Sequence, residues 1–176
     1  MATTCKLIAK TTLGSDAANV EFTSIPGTYT DLVLALVLRS DRSTGNARED
    51  SIKVRFNGST SNIYSSRVLY GNGSSALSAS ESSVSYATAY TVVPSNDNTA
   101  STFSNTTLYI PNYAGSTNKS FSVEGAGENN NAASGLGAAA CLWSSTAAIT
   151  SILIFPYNGS NWKSGSAAYL FGITKA

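Results

Sequence analysis

The chain has 176 residues, of which 42% are hydrophobic, 12% are charged and none is histidine, with a net charge of +1. That length suits one domain able to bury roughly 70% of its unfolded surface, and nine Tyr, six Phe and two Trp exclude the disordered class. Without histidine there is no Ser-His or Cys-His nucleophilic pair and no His-based metal site. The charged share is about half the usual ~25%, and Ser, Thr, Asn and Gly fill the gap. So little net charge keeps copies apart only weakly, which suits a protein packed in an assembly.

In chain order, a single domain over 1–176 is expected, with a short N-terminal arm at 1–15. Within the arm Cys5, Leu7 and Ala9 alternate with Lys6, Ile8 and Lys10 as a short strand, and Leu13-Gly14-Ser15-Asp16 turns the chain. Val20 and Phe22 mark a second strand, ended by Pro26-Gly27. The chain then enters its most apolar run. Leu32, Leu34, Leu36 and Leu38 share one parity, with Val33, Ala35 and Val37 on the other. Strand side chains alternate faces, so this segment reads as a central strand covered on both sides. A buried helix has the same hydrophobicity; the turn before it and the strand pattern after it favour the strand.

The polar loop DRSTGNARED, residues 41–50, follows. It reads either as a solvated loop with weak ion pairs or as a contact with a neighbouring subunit. On the second reading Arg39, Asp41, Arg42, Arg48 and Glu49 are the candidate interface residues, since arginine forks suit interfaces. Acidic residues balance the basic ones there, which argues against nucleic acid as a partner.

Ile52, Val54 and Phe56 alternate with Lys53 and Arg55, giving a strand with one wet face, and Asn57-Gly58 signals a hairpin. The return strand carries Tyr64, Val68 and Tyr70; SSALSASESS at 74–83 reads as a mobile loop. Further strands fall around Val84–Val92, Phe103–Ile110 and Phe121–Val123. Glu128 to Gly137 reads as a flexible link, before strands at Ala138–Trp143, Ile149–Phe155 and Ala167–Ile173. About ten short strands between Gly, Asn and Pro punctuation, with no helical periodicity, predict an all-β fold, an antiparallel β-sandwich of jelly-roll type.

Few residues invite chemistry. The two cysteines, Cys5 and Cys141, read as buried small apolar residues, or as a bridged pair if their strands are neighbours, and their spacing is not that of a zinc site. No phosphate-cradling glycine motif is present. Calcium at Asp41, or at Asp97 with Asn96 and Asn98, is weaker than a polar-turn reading because the spacing matches no calcium loop. No cofactor, metal or catalytic residue is expected. Tyr113, Tyr157 and Trp162 lie in the turn-rich segments IPNYAGSTN and PYNGSNWKSG. Such rings either lid the open ends of a sandwich or contact a ligand or partner, where aromatic area comes at low entropic cost. No apolar run reaches signal-peptide or transmembrane length, so synthesis in a cytoplasm and no membrane partner are expected.

The runs VEFTSIPGTYTDLVLALVLRSDR, SIKVRFNGSTSNIYSSRVLYGNGSS, TLYIPNYAGSTNKSFSVEGAGENN and LWSSTAAITSILIFPYNGSNWKSGSAAYLFGI, within residues 18–173, resemble a recurrent small protein of tailed bacteriophages, especially aquatic ones. The resemblance implies a non-enzymatic virion structural β-sandwich on the particle surface, made in the host bacterial cytoplasm. Two kinds are implied. One is a capsid decoration (cement) protein, a homo-oligomer with a trimer favoured, partnered by the major capsid protein or other virion proteins. The other is a tail-fibre or receptor-binding tip that grips cell-surface carbohydrate.

Overall fold

The alternating runs become twelve strands, all paired antiparallel, among residues 4–45, 49–130 and 134–174, which are those described by this computed structural model. They are β1 Cys5–Thr12, β2 Val20–Phe22, β3 Asp31–Val37, β4 Asp50–Phe56, β5 Tyr64–Gly71 and β6 Ala76–Val84. The second half holds β7 Ala87–Val93, β8 Asn105–Ile110, β9 Lys119–Gly127, β10 Gly135–Trp143, β11 Ile152–Pro156 and β12 Ala167–Ile173. An eight-stranded sheet runs β1-β12-β3-β8-β9-β10-β5-β6, and a four-stranded sheet runs β2-β11-β4-β7. The fold is an all-β antiparallel sandwich. The segment expected as an N-terminal arm is β1, zipped along β12 at one edge of the large sheet.

The core lies between the sheets. Leu32, Leu34 and Leu36 of β3, Leu108 and Ile110 of β8, and Phe121 and Val123 of β9 face Ile52, Val54 and Phe56 of β4 and Ile152 and Ile154 of β11. Phe56 sits edge-on to Phe121 at 5.0 Å and to Trp143 at 5.6 Å, and Tyr64 stacks on Trp143 at 6.3 Å. The Tyr64 hydroxyl accepts the Phe56 N–H at 2.9 Å, which satisfies both groups inside the core. Each fully buried Leu or Phe of this kind contributes about 1.5–3 kcal/mol of apolar transfer.

Three sequence expectations are corrected here. First, β3 is interior in position but covered on one face only. Val33 and Ala35 are half-buried and Val37 is exposed, because their parity belongs to the outer face of the large sheet, shaded only by neighbouring strands. Second, SSALSASESS is the edge strand β6, registered on β5 through a hairpin in which Asn72 Oδ1 accepts the Ser74 and Ser75 N–H groups at 3.0 and 2.8 Å. Its Ser and Ala residues have little intrinsic strand preference, so pairing with β5 decides its state. Third, the Asn57-Gly58 turn does not close a hairpin. Both residues have positive φ, 51° and 62°, but β4 belongs to the small sheet and β5 to the large one, so this turn is a corner between layers.

The segment expected as a flexible link contributes Gly135 and Gly137 to β10, and the packing explains the glycines. A Cβ on Gly137 would lie 2.2 Å from the Tyr90 carbonyl oxygen, and one on Gly127 would lie 2.6 Å from that of Val92. The backbone of β7, the edge of the small sheet, therefore rests directly on the backbones of β9 and β10. Glycine within a strand marks such a close approach.

The cysteines are also separated by this topology. Cys5 is exposed on β1, against expectation, because β1 is a sheet edge; Cys141 is buried on β10. Five strand spacings between β1 and β10 amount to roughly 24 Å, far beyond the ~7 Å Cα limit of a disulfide. Burial pushes the Cys141 thiol up to about 11, so it stays protonated and inert near neutrality. A thiol reagent at about pH 8 is expected to label Cys5 alone in the native protein and both cysteines in denaturant. Native labelling of Cys141, read by mass spectrometry of peptides, would contradict this placement.

Candidate functional site

The loops at one end of the sandwich are tied together by carboxylates. Asp41 Oδ1 accepts the Ser160 and Asn161 N–H groups at 2.8 and 2.9 Å, and its Oδ2 accepts Asn161 Nδ2 at 2.8 Å. Asp50 Oδ1 accepts the Ser51 and Asn158 N–H groups at 2.8 and 2.9 Å, while Oδ2 accepts that of Gly159 at 2.9 Å. The Asn158–Asn161 turn is thus cradled between two acids, and a Cβ on Gly159 would come within 2.8 Å of Asp41 Oδ1 and 3.0 Å of Asp50 Oδ2. Burial raises the Asp41 pKa, but the bonds donated by Asn161 and Ser160 outweigh it and hold the carboxyl below its ordinary value. Asp97 accepts the Thr44 N–H at 2.6 Å and the Ser43 hydroxyl at 2.7 Å, and both bonds lower its pKa. These acids spend their lone pairs on their own chain. Among the described residues no group of three or more His, Cys, Asp or Glu could hold a metal ion.

The expected interface residues divide accordingly. Arg39 is only 7% exposed, and its guanidinium donates to the carbonyls of Asn98, Thr99 and Thr102. It pins the 98–102 loop of its own chain. Asp41 is likewise committed internally, to the 160–161 turn. Arg42 Nη1 donates to the Glu49 carbonyl, and the two half-buried residues close the base of the 41–50 loop. Arg48 lies outside the described residues.

Of the three candidate ligand-contact rings, two belong to the core. Tyr113 is buried, with its hydroxyl donating to the Pro26 carbonyl. Trp162 is 0% exposed, and its Nε1–H donates to the Ile154 carbonyl at 3.1 Å. Neither ring presents a face to a ligand. Each found a backbone partner for its polar end, so burial cost little. Tyr157 alone keeps an open side.

Tyr157 belongs to a surface that sequence reasoning did not assemble. On the outer face of the small sheet, the Lys53 ammonium stands 4.5 Å from the Tyr86 ring centre, 4.7 Å from that of Tyr157 and 5.8 Å from that of Phe155. The Arg55 guanidinium lies 5.2 Å above Phe155. Tyr90 packs beside Tyr157 at 5.5 Å between ring centres, and their hydroxyls meet at 3.4 Å. That hydrogen bond, donated to the Tyr157 hydroxyl, and burial raise the Tyr90 pKa, so its phenol stays neutral. Next to them Arg42, Tyr70, Tyr90, Tyr157 and Asn158 line a cleft of about 120 Å³. Arg42 Nε is buried there with no hydrogen-bond partner among the described residues. This face can stack on flat or apolar rings and donate hydrogen bonds. The wet-face parity of Lys53 and Arg55 was the available signal. Their aromatic partners are Phe155 of β11, Tyr157 just after it and Tyr86 just before β7, which only the sheet register brings together.

Compared with family models, curated proteins and solved structures, the chain has no significant match.

Proposed function

We propose that this protein is a non-enzymatic structural component of a phage virion, a capsid decoration protein that lies on the head shell and stabilises it by contact with the major capsid protein. The observation that carries this reading is the outer face of the eight-stranded sheet. Cross-strand rows such as Ala35–Thr107–Glu124–Ala138–Leu69–Ser78 and Val33–Tyr109–Ser122–Ala140–Arg67–Ser80 span it with few charges and many small side chains. Ala126, Leu136, Ala138 and Leu69 form an exposed, uncharged run across three strands, with Leu136 at 65% and Leu69 at 61% exposure. A broad surface of this kind costs little to desolvate against a neighbour. The sequence resemblance supplies the virion context. Quantifying the protein in tail-less heads purified from phage particles tests the reading: stoichiometric presence is expected, and its absence from heads would sink it.

The aromatic and cationic face favours a second reading, a receptor-binding tip for cell-surface carbohydrate. Sugar rings stack on exposed tyrosines, and Tyr157 is the ring to test, not the buried Trp162. Glycan-array binding lost in Tyr157→Ala, with an unchanged melting curve, would move the assignment to the tail.

A further inference from the structure

The two edges of the eight-stranded sheet are built differently. At one edge β1 carries Lys6 and Lys10, and its pairing with β12 slips at Ile8, a β-bulge. Charged edge residues and bulges are the devices by which sheets prevent further strands from adding. At the other edge β6 reads ALSASESSV. Its strand has no lysine, arginine or proline and one charge, Glu81; its irregularity falls at the far end, opposite Tyr64 and Ser65, where Ser83 has a φ of 56°. Residues Ala76–Ser80 are exposed, and Leu77 is 43% exposed.

The hairpin fixes which backbone groups β6 leaves open. The Asn72 N–H donates to the Ser75 carbonyl at 3.2 Å, and hydrogen-bonded and non-hydrogen-bonded pairs then alternate along an antiparallel ladder. With Tyr70 opposite Leu77 and Val68 opposite Ala79, the bonded residues of β6 are the odd-numbered ones. Ala76, Ser78, Ser80 and Ser82 turn their N–H and C=O groups outward.

We propose that β6 is an interface for a second copy of this chain, joined antiparallel about a two-fold axis at Ala79 to continue the large sheet from one protomer into the next. In that register Ala76 pairs with Ser82 of the other copy and Ser78 with Ser80, so every outward N–H and C=O meets a partner. Glu81 falls opposite Leu77 and not opposite itself, so the strand's one charge faces no like charge. The rest of the pairing surface is Ser and Ala, small enough to sit against themselves, and a net charge of +1 per chain opposes association only weakly. Seven residues give a shared edge of about 24 Å. An edge-only contact of that size belongs below the ~1,200 Å² of standard interfaces, so the dimer is weak in solution and forms where copies are concentrated. This pairing is isologous and predicts an even-numbered assembly in place of the trimer expected from the resemblance. It stands independently of whether the protein sits on a head or a tail.

Sedimentation velocity of the full chain over a range from about 1 μM to 1 mM tests this. A monomer–dimer equilibrium is expected. Ser80→Lys sets like charges close to the axis and should weaken dimerisation at least tenfold while leaving the melting curve unchanged. Independently, Ala79→Cys in a Cys5→Ser background should form an intermolecular disulfide on mild oxidation, because directly opposed non-bonded pairs have Cα atoms about 4.5 Å apart. Cysteine at Ser59, in the corner after β4, should not. A monomer at every concentration, or a dimer equally strong in Ser80→Lys, overturns the proposal, as does cross-linking at Ser59 as efficient as at Ala79.

Discussion

Replacing Trp162 by alanine is expected to cost about 3–5 kcal/mol of stability. That corresponds to a fall in melting temperature of roughly 6–20 °C for a domain of this size. The indole is the largest fully buried side chain of the protein. It sits where a loop crosses between layers: the Trp162 N–H donates to the Ala17 carbonyl at 2.7 Å, and the Ala17 N–H returns a bond to the Trp162 carbonyl at 3.0 Å. The ring therefore fills the space beneath the segment that ties β2, β11 and β12 together, and truncation leaves a cavity that these paired strands cannot collapse into. Trp162→Phe retains most of the volume but leaves the Ile154 carbonyl without the Nε1–H, so a smaller loss of about 1–2 kcal/mol is expected. Thermal unfolding followed by circular dichroism ranks the two variants. An alanine variant that melts within about 2 °C of the parent would show that the indole is not a core element.

The second large effect concerns a charge. Arg39→Ala should destabilise the fold by about 3 kcal/mol, because the Asn98 and Thr102 carbonyls lose the donor they take from Arg39 and that of Thr99 keeps only the Thr102 hydroxyl. Nη1 reaches Thr99 O at 2.8 Å and Thr102 O at 3.0 Å, and Nη2 reaches Asn98 O at 3.1 Å. Burial lowers the guanidinium's pKa, yet arginine keeps its proton in proteins, and the carbonyl dipoles stabilise it. No carboxylate pairs with Arg39 among the described residues. Arg39→Lys should recover only part of the loss, since an ammonium on a flexible stem cannot span three acceptors with the planar fork's geometry. Hydrogen exchange would localise the damage. Amides of residues 98–104 should lose protection first in both variants. If Arg39→Ala instead left stability intact and weakened only self-association, the side chain would be an interface group after all.

Alternation carried much of the fold. Ile52, Val54 and Phe56 against Lys53 and Arg55 fix a half-wet strand, and β3 announces itself through Leu32, Leu34 and Leu36. The allotment of strands to sheets was less legible. Asn57-Gly58 has the backbone of a tight turn in either setting, and nothing local says that β5 leaves the layer of β4. Strand β6 was invisible because Ser and Ala state no preference of their own; its pairing comes from β5. Trp162 and Tyr113 could be read either way, as lids or as ligand contacts, for a related reason. Gly, Asn and Ser neighbours look exposed, yet their backbone bonds to Ala17 and Ile149 draw these segments inward. The aromatic face around Lys53 follows from register, with Phe155 opposite Lys53 and Lys53 opposite Thr88. No one strand contains that information.

The glycine seam beneath β7 has a geometric consequence for the domain's cross-section. Where Phe56 meets Phe121, whole aromatic rings hold the layers apart, as in an ordinary sandwich with about 10 Å between sheets. One strand further along the small sheet, at Gly137 and Tyr90, the layers touch backbone to backbone. The two layers are therefore closer at the Gly137 end of β10 than at its Trp143 end, where Phe56 and Tyr64 pack on the indole. A side chain at Gly137 would have to push the two layers apart at that point, so it would alter the spacing of the sheets as well as the stability.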